Sequence, residues 1–156
     1  MAKTYTPIAT TTLTSAAASY TFSSIPGTYT DLRATLYLKS TGTSDYGLRG
    51  YINGDTGANY SETNIQGYGS TATSSRLSSQ SQGSYTFTYG FSNEGALFNF
   101  DFMNYANTNV YKTFLVANAN NQGASGSVDR SVQLWRSTSA ITSLTFFAAT
   151  DEFAAG

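Results

Sequence analysis

Nine carboxylates, Asp31, Asp45, Asp55, Glu62, Glu94, Asp101, Asp129, Asp151 and Glu152, are the first side chains to test for chemistry. Hydrolysis of a glycosidic bond needs two carboxyl groups a few ångströms apart, one of them held protonated by its surroundings. Most of the nine fall in segments rich in Gly, Asn and Ser, where a carboxylate bonds the amides of its own turn. Asp101 differs, because it alternates with Phe100 and Phe102 and shares a strand face with Asn99. That face either lines a cleft, with Glu94 as the partner acid of a polysaccharide depolymerase, or meets solvent, and the second reading is the plainer one.

The chain has no Cys and no His. Thiolate nucleophiles, thiolate zinc sites, Ser-His-Asp triads and Cys-His pairs are therefore excluded, along with the commonest metal ligand. A Lys base in place of His needs a Ser-x-x-Lys context, which Lys3, Lys39 and Lys112 lack. The oxygens of Asn53-Gly54-Asp55-Thr56-Gly57-Ala58-Asn59 are spaced as in calcium loops, but the twelfth position, where an EF-hand carries its bidentate Glu, is Asn64. An Asx-rich turn, or a type I′ hairpin at Asn53-Gly54, accounts for these residues without a metal. Gly67-Tyr68-Gly69-Ser70 lacks the Lys of a phosphate loop, and the Asn59-Tyr60-Ser61 sequon has meaning only in a secreted chain. The residue types point to no enzyme, no cofactor and no metal.

Aromatic side chains remain. Exposed Tyr and Trp stack on sugar rings and anchor protein interfaces. Tyr37, Tyr46, Tyr51, Tyr60, Tyr68, Tyr85, Tyr89, Tyr105, Tyr111 and Trp135 form the pool, most of them half-buried strand residues. Tyr60, Tyr68, Tyr105, Tyr111 and Trp135 are the candidate contact residues.

The elements that must position these side chains are strands. Thr contributes 24 residues and Ser 21, with 12 Tyr and 10 Phe, a composition suited to pleated, half-buried surfaces joined by turns. Leu32, Ala34, Leu36 and Leu38 alternate with Arg33, Thr35, Tyr37 and Lys39, the period of a strand with one wet face. Phe98–Phe102, Lys112–Asn118, Val132–Trp135 and Leu144–Ala148 read likewise, as do Tyr5–Leu13, Tyr20–Ile25, Leu48–Ile52, Ile65–Tyr68 and Tyr85–Tyr89. Pro26-Gly27, Ser92-Asn93-Glu94-Gly95 and Asn120-Asn121-Gln122-Gly123 supply turns. The segments Gly69–Gly83 and Asn118–Gly126, poor in large apolar residues, read as exposed loops. No helical apolar period is sustained. These signals predict one all-β domain over residues 1–156, an antiparallel jelly-roll-like sandwich of nine or ten strands with little or no helix; a closed barrel is the second choice. Two sheets of four or five strands would bury Leu32, Leu36, Phe98, Phe100, Phe102, Phe114, Val116, Leu134, Leu144 and Phe146.

Eight basic and nine acidic residues, scattered, cannot form the concentrated positive surface that nucleic acid requires. No apolar run approaches a membrane-spanning length, and Met1 to Thr6 shows no secretory signal, so neither membrane nor secretion is expected.

Five blocks complete the reading: Tyr5–Leu13, the stretch from Ser15 to Arg33, Ile52–Ser61, Ser137–Leu144 and Phe153–Gly156. Together they resemble small structural proteins of tailed phages, marine and cyanobacterial ones among them. The resemblance covers about half the chain and brackets nearly all of it. It implies a non-enzymatic virion component assembled in the host cytoplasm. Its partners would be phage capsid or tail proteins, and it would form a homo-oligomer, a trimer by lattice symmetry. A capsid decoration protein is the leading expectation, and a tail-fibre or adhesin module that recognises host surface glycan is the alternative.

Overall fold

Alternating apolar and polar residues build ten strands, all paired antiparallel, and no helix occurs among the described residues. The structure, a computed structural model, describes residues 5–43, 47–85, 91–122 and 125–156. One sheet holds β1 (Ser19–Phe22), β10 (Leu144–Ala148), β3 (Leu48–Ile52) and β6 (Gly83–Ser84), in that order. The other holds β2 (Leu32–Leu38), β7 (Ala96–Phe102), β8 (Lys112–Gln122), β9 (Ser125–Trp135), β4 (Tyr60–Tyr68) and β5 (Thr71–Gln80). Without the β8–β9 hairpin, the two orders are those of a jelly roll, so the fold is a jelly-roll-like β-sandwich with one hairpin added to one sheet.

The core forms where aromatic strand faces meet. Phe98, Phe100 and Phe102 of β7, Phe114 and Val116 of β8, and Leu144 and Phe146 of β10 are buried together with Leu32. Tyr85 is the link between the sheets. Its ring stands edge-on to Phe100 at 4.9 Å and lies 6.1 Å from Phe146 and 6.3 Å from Phe114. Gly50 and Gly83, paired across β3 and β6, leave the floor on which this ring rests. A Cβ on Gly50 would lie 2.8 Å from the Tyr85 ring and collide with the Thr145 carbonyl oxygen.

Several expectations are corrected. Residues 69–83 are not a loop: ten of them form β5, whose backbone pairs with β4 while both its faces meet solvent, so no apolar alternation marks it. Residues 118–126 belong to the β8–β9 hairpin, Gly123 and Ala124 lying outside the described residues. Residues 5–13 form no strand and stay almost wholly exposed, because no strand edge hydrogen-bonds to them. Leu134 is half-buried on the outer face, since Trp135 and Gln133 take the inner positions of β9. Asn53-Gly54 does adopt the positive φ angles of a type I′ turn (53° and 69°), closed by Asp55 N–H donating to Ile52 O at 3.0 Å. The turn carries the chain between sheets, from β3 to β4, instead of closing a hairpin. The strand expected at Tyr85–Tyr89 is represented by Gly83–Ser84, and residues 86–89 lie outside the described residues.

Gly50→Ala is expected to lower stability by roughly 1–3 kcal/mol, as overpacking does in a filled core. Gly27→Ala, whose Cβ would rest at ordinary contact 3.6 Å from Ala106, is the control and should melt close to wild type in thermal denaturation.

Candidate interaction face and the polar interior behind it

The six-stranded sheet presents an outer face whose side chains line up in rows across the strands. Register sets Tyr37, Leu97, Ala119, Val128, Gly67 and Ala72 in one row across all six strands, with no charge among them. A parallel row runs Arg33, Asp101, Leu115, Val132, Thr63 and Arg76. Between them lie Thr35, Asn99, Ala117, Arg130, Ile65 and Ser74. Tyr37, Ile65, Leu97, Leu115, Val128 and Val132 are all exposed, Ile65 and Tyr37 by more than 60%. Strand and residue spacings give this field about 600 Å². Its polar groups are mostly occupied within the sheet. Arg33 makes a bidentate pair with Asp101 (2.6 and 3.0 Å), Thr35 donates to Asn99 (2.9 Å) and Arg76 donates to Thr63 (3.0 Å). Arg130, exposed near the middle, has no ion-pair partner among the described residues.

The reverse side of the same strands inverts the usual pattern. On β2, β7 and the first half of β8 the inner face is apolar apart from Lys112. On β9, β4 and the second half of β8 it carries Ser127, Asp129, Ser131 and Gln133, then Glu62, Asn64 and Gln66, then Asn118 and Asn120, all buried. Asn118, Asp129 and Gln66 stand side by side in one cross-strand row. Both Asp129 oxygens and both polar side-chain atoms of Asn64 and Asn118 lack a hydrogen bond of good geometry. Burial pushes the Asp129 carboxyl above its ordinary value, with the neighbouring Asn118 and Gln66 amides pulling the other way. Burial raises Glu62 too, opposed by Gln133, whose amide donates to Glu62 at 3.0 Å, and by the charge of Arg49.

The sequence-predicted contact residues divide. Tyr60, Tyr105 and Trp135 are corrected: each is at most 2% exposed and works inside the fold. Tyr105 donates its hydroxyl proton to Pro26 O. Trp135 Nε1–H donates to Asp55 at 2.7 Å, and Tyr60 donates to Asp55 O at 2.9 Å while accepting from Ile52 N–H at 3.0 Å. Burial pushes the Tyr60 hydroxyl up to about 12. Tyr68 is half-buried and Tyr111 is 56% exposed, so these two stay accessible. Tyr46 and Tyr89, like Asp45, lie outside the described residues.

The oxygens that resemble a calcium loop are engaged in a turn. Asp55 accepts from Gly57 N–H (2.8 Å), Asn59 (2.9 Å) and Trp135, which ties the β3–β4 crossover to β9. Burial acts to raise the Asp55 carboxyl, but these three donors outweigh it and hold the group below its usual range. Asp101 faces solvent in its pair with Arg33. Lys112, read as an ordinary strand residue, is buried, and its ammonium donates to Asn107 O, Val110 O and Thr138 O at 2.5, 3.0 and 3.0 Å. It thereby ties the β7–β8 and β9–β10 connections together. The exposed apolar residues of the outer face were missed because their alternation with Asp129, Ser131 and Gln133 runs opposite to expectation. The period was visible in the sequence, but not which half faced inward.

These carboxylates give stability a defined pH dependence. A raised folded pKa means that the stability linked to Glu62 and Asp129 is full below about pH 4 and is lost as pH climbs through their folded values. Asp55 acts the other way, contributing above about pH 4 and losing its contribution as pH falls through its depressed folded value. The melting temperature should therefore peak in mild acid. Asp129→Asn should raise it by roughly 2–4 °C at pH 7 and flatten the decline between the peak and neutrality. Thermal melts across pH check both; an unchanged neutral-side slope in the variant would remove Asp129 from the account. Comparison of the chain with family models, with curated proteins and with solved structures finds no match.

Proposed function

We propose that the protein is a non-enzymatic structural component of a tailed-phage particle, a decoration protein that binds the major shell protein of the capsid. The observation that carries this reading is the uncharged row across the outer face of the six-stranded sheet, taken with the sequence blocks that resemble phage structural proteins. An unbroken row of exposed uncharged side chains, flanked by polar groups that already pair with one another, is what a contact surface presents. About 600 Å² on each partner amounts to about 1,200 Å² in total, the lower end of specific interfaces. Because Arg33 and Asp101 already neutralise each other, desolvating them together costs less than burying either alone. Arg130 then selects a partner with a carboxylate opposite it. Repeated symmetric display on a shell would supply the avidity that so small a face lacks.

The alternative reading, a tail-fibre or adhesin module for host glycan, has one observation in its favour: Tyr111 offers an exposed ring beside Asn109 at one end of the sandwich. Gold-labelled antibody on purified particles separates the two. Label over the head supports decoration; label at the tail favours glycan recognition, and absence from the head ends the leading proposal. Val128→Asp and Leu97→Asp, both at exposed positions, should leave melting within about 0.5 kcal/mol of wild type. In a co-sedimentation assay with particles lacking the protein, each should weaken head binding at least tenfold, whereas Tyr111→Ala should not.

A further inference from the structure

The two sheets close against each other along one side less completely than along the rest. Strand β1 pairs only with β10, and β2 only with β7, so both present a free edge on the same side of the sandwich. Residues 5–12 run past these edges. They are exposed and make no backbone hydrogen bond to the described residues; the Arg33 guanidinium lies over the Tyr5 ring at 5.6 Å. Between this segment and β2 lies a slot of about 910 Å³, continued by a second space of about 310 Å³ toward the end of β2. Its floor is apolar, with Phe22, Ile25, Leu32, Leu36, Phe102 and Leu144 reaching it from the core.

The molecule shows what fits there, because its own tail fills the far end. Phe153 forms antiparallel bridges with Ala17 on one side and Ser40 on the other. Phe153 N–H donates to Ala17 O at 2.9 Å, Ala154 N–H to Lys39 O at 2.9 Å and Gly156 N–H to Leu13 O at 3.0 Å. At this end, then, an extended segment lies between the two walls and bonds to both, so the gap here is one strand wide. Farther along, the walls are residues 5–12 and β2, with an apolar floor and, among the described residues, no strand between them.

We propose that this slot is an acceptor site for an extended strand donated by another polypeptide, about eight residues long, antiparallel to β2, with apolar side chains at alternate positions. The backbone supplies the affinity, since the free N–H and C=O groups of β2 pair with any extended chain. The floor supplies the selectivity, since only every second side chain points inward. Size also fits. An eight-residue extended segment exposes on the order of 1,300 Å² in isolation. Burying about half of it, with an equal area of slot, gives an interface of standard size. This goes beyond capsid docking, which uses the outer face and not the β2 edge.

The probe is a fluorescein-labelled eight-residue peptide alternating threonine and valine, with a peptide of the same composition but its four valines consecutive as control. Saturable binding by anisotropy is expected, at least tenfold weaker for the control. Hydrogen exchange should slow at the β2 amides that β7 leaves unpaired. A chain carrying the alternating segment fused after Gly156 should fill its own slot and bind the free peptide at least tenfold more weakly. Absence of binding, equal binding of the two peptides, or protection along β5 in place of β2 overturns the proposal. Protection of β2 before peptide is added, with a dimer in solution, assigns the slot to a second copy and overturns it equally.

Discussion

The seating of one aromatic ring on two glycines determines how the sheets meet. Tyr85 leaves β6 and crosses toward Phe100 and Phe114 of the six-stranded sheet while resting on Gly50 and Gly83 of the four-stranded one. Any side chain at those glycines would lift the ring and with it the spacing of the sandwich. Around it, Phe102 stacks on both Phe100 (6.1 Å) and Phe114 (4.6 Å), Phe100 lies tilted against Phe146 (5.1 Å), and Phe98 meets Phe91 edge-on (6.1 Å). This cluster sits under β7, β8 and β10. The six-stranded sheet continues past it through β9, β4 and β5, whereas the opposing sheet ends at the two residues of β6.

Polarity changes along the six-stranded sheet. Where aromatic side chains meet across the sandwich, the usual rule of apolar inside and polar outside holds. Beyond them, β9 and β4 turn Asp129, Asn64 and Gln66 inward and Val128, Val132 and Ile65 outward. Each inward amide or carboxylate without a good partner costs free energy, and the outward aliphatic groups recover nothing while they face water. A sheet with both features is poorly optimised as an isolated monomer. Covering the outer face would remove those aliphatic groups from water, which is where the proposed contact would gain its free energy.

Much of the fold was legible in the sequence, and for a physical reason. The runs at Leu32–Leu38, Leu48–Ile52 and Leu144–Ala148 are one-sided strands whose apolar residues face the aromatic core, so period and direction agree. The misreadings share the opposite property. Residues 71–80 pair by backbone alone and carry no one-sided pattern, and residues 118–120 and 127–133 alternate with polarity reversed. Trp135, Tyr60 and Tyr105 looked like surface anchors because the sequence gives residue type without partner. Asp55 and Pro26, which satisfy their polar atoms inside the fold, lie tens of residues away in the cases of Trp135 and Tyr105. Lys112 illustrates the same limit, since its ammonium is buried once two carbonyls of its own preceding loop and the distant Thr138 carbonyl converge on it.

The free edges on the β1–β2 side follow from the same topology. A jelly roll of this order begins with β1 and β2 on different sheets, so the chain crosses the open side before either has a second neighbour. Natural sheets protect such edges with charge, proline or a covering segment. Here Pro7 and the exposed residues 5–12 shield the opening without pairing, and residues 153–156 show how readily an extended chain bonds between the same walls. A sandwich that closes one end of its gap with its own backbone and leaves the remainder lined with apolar side chains is matched in shape and hydrogen bonding to one more strand. The exposed outer face and the open edge are then two consequences of one arrangement, a wide sheet held by an aromatic core confined to one side of it.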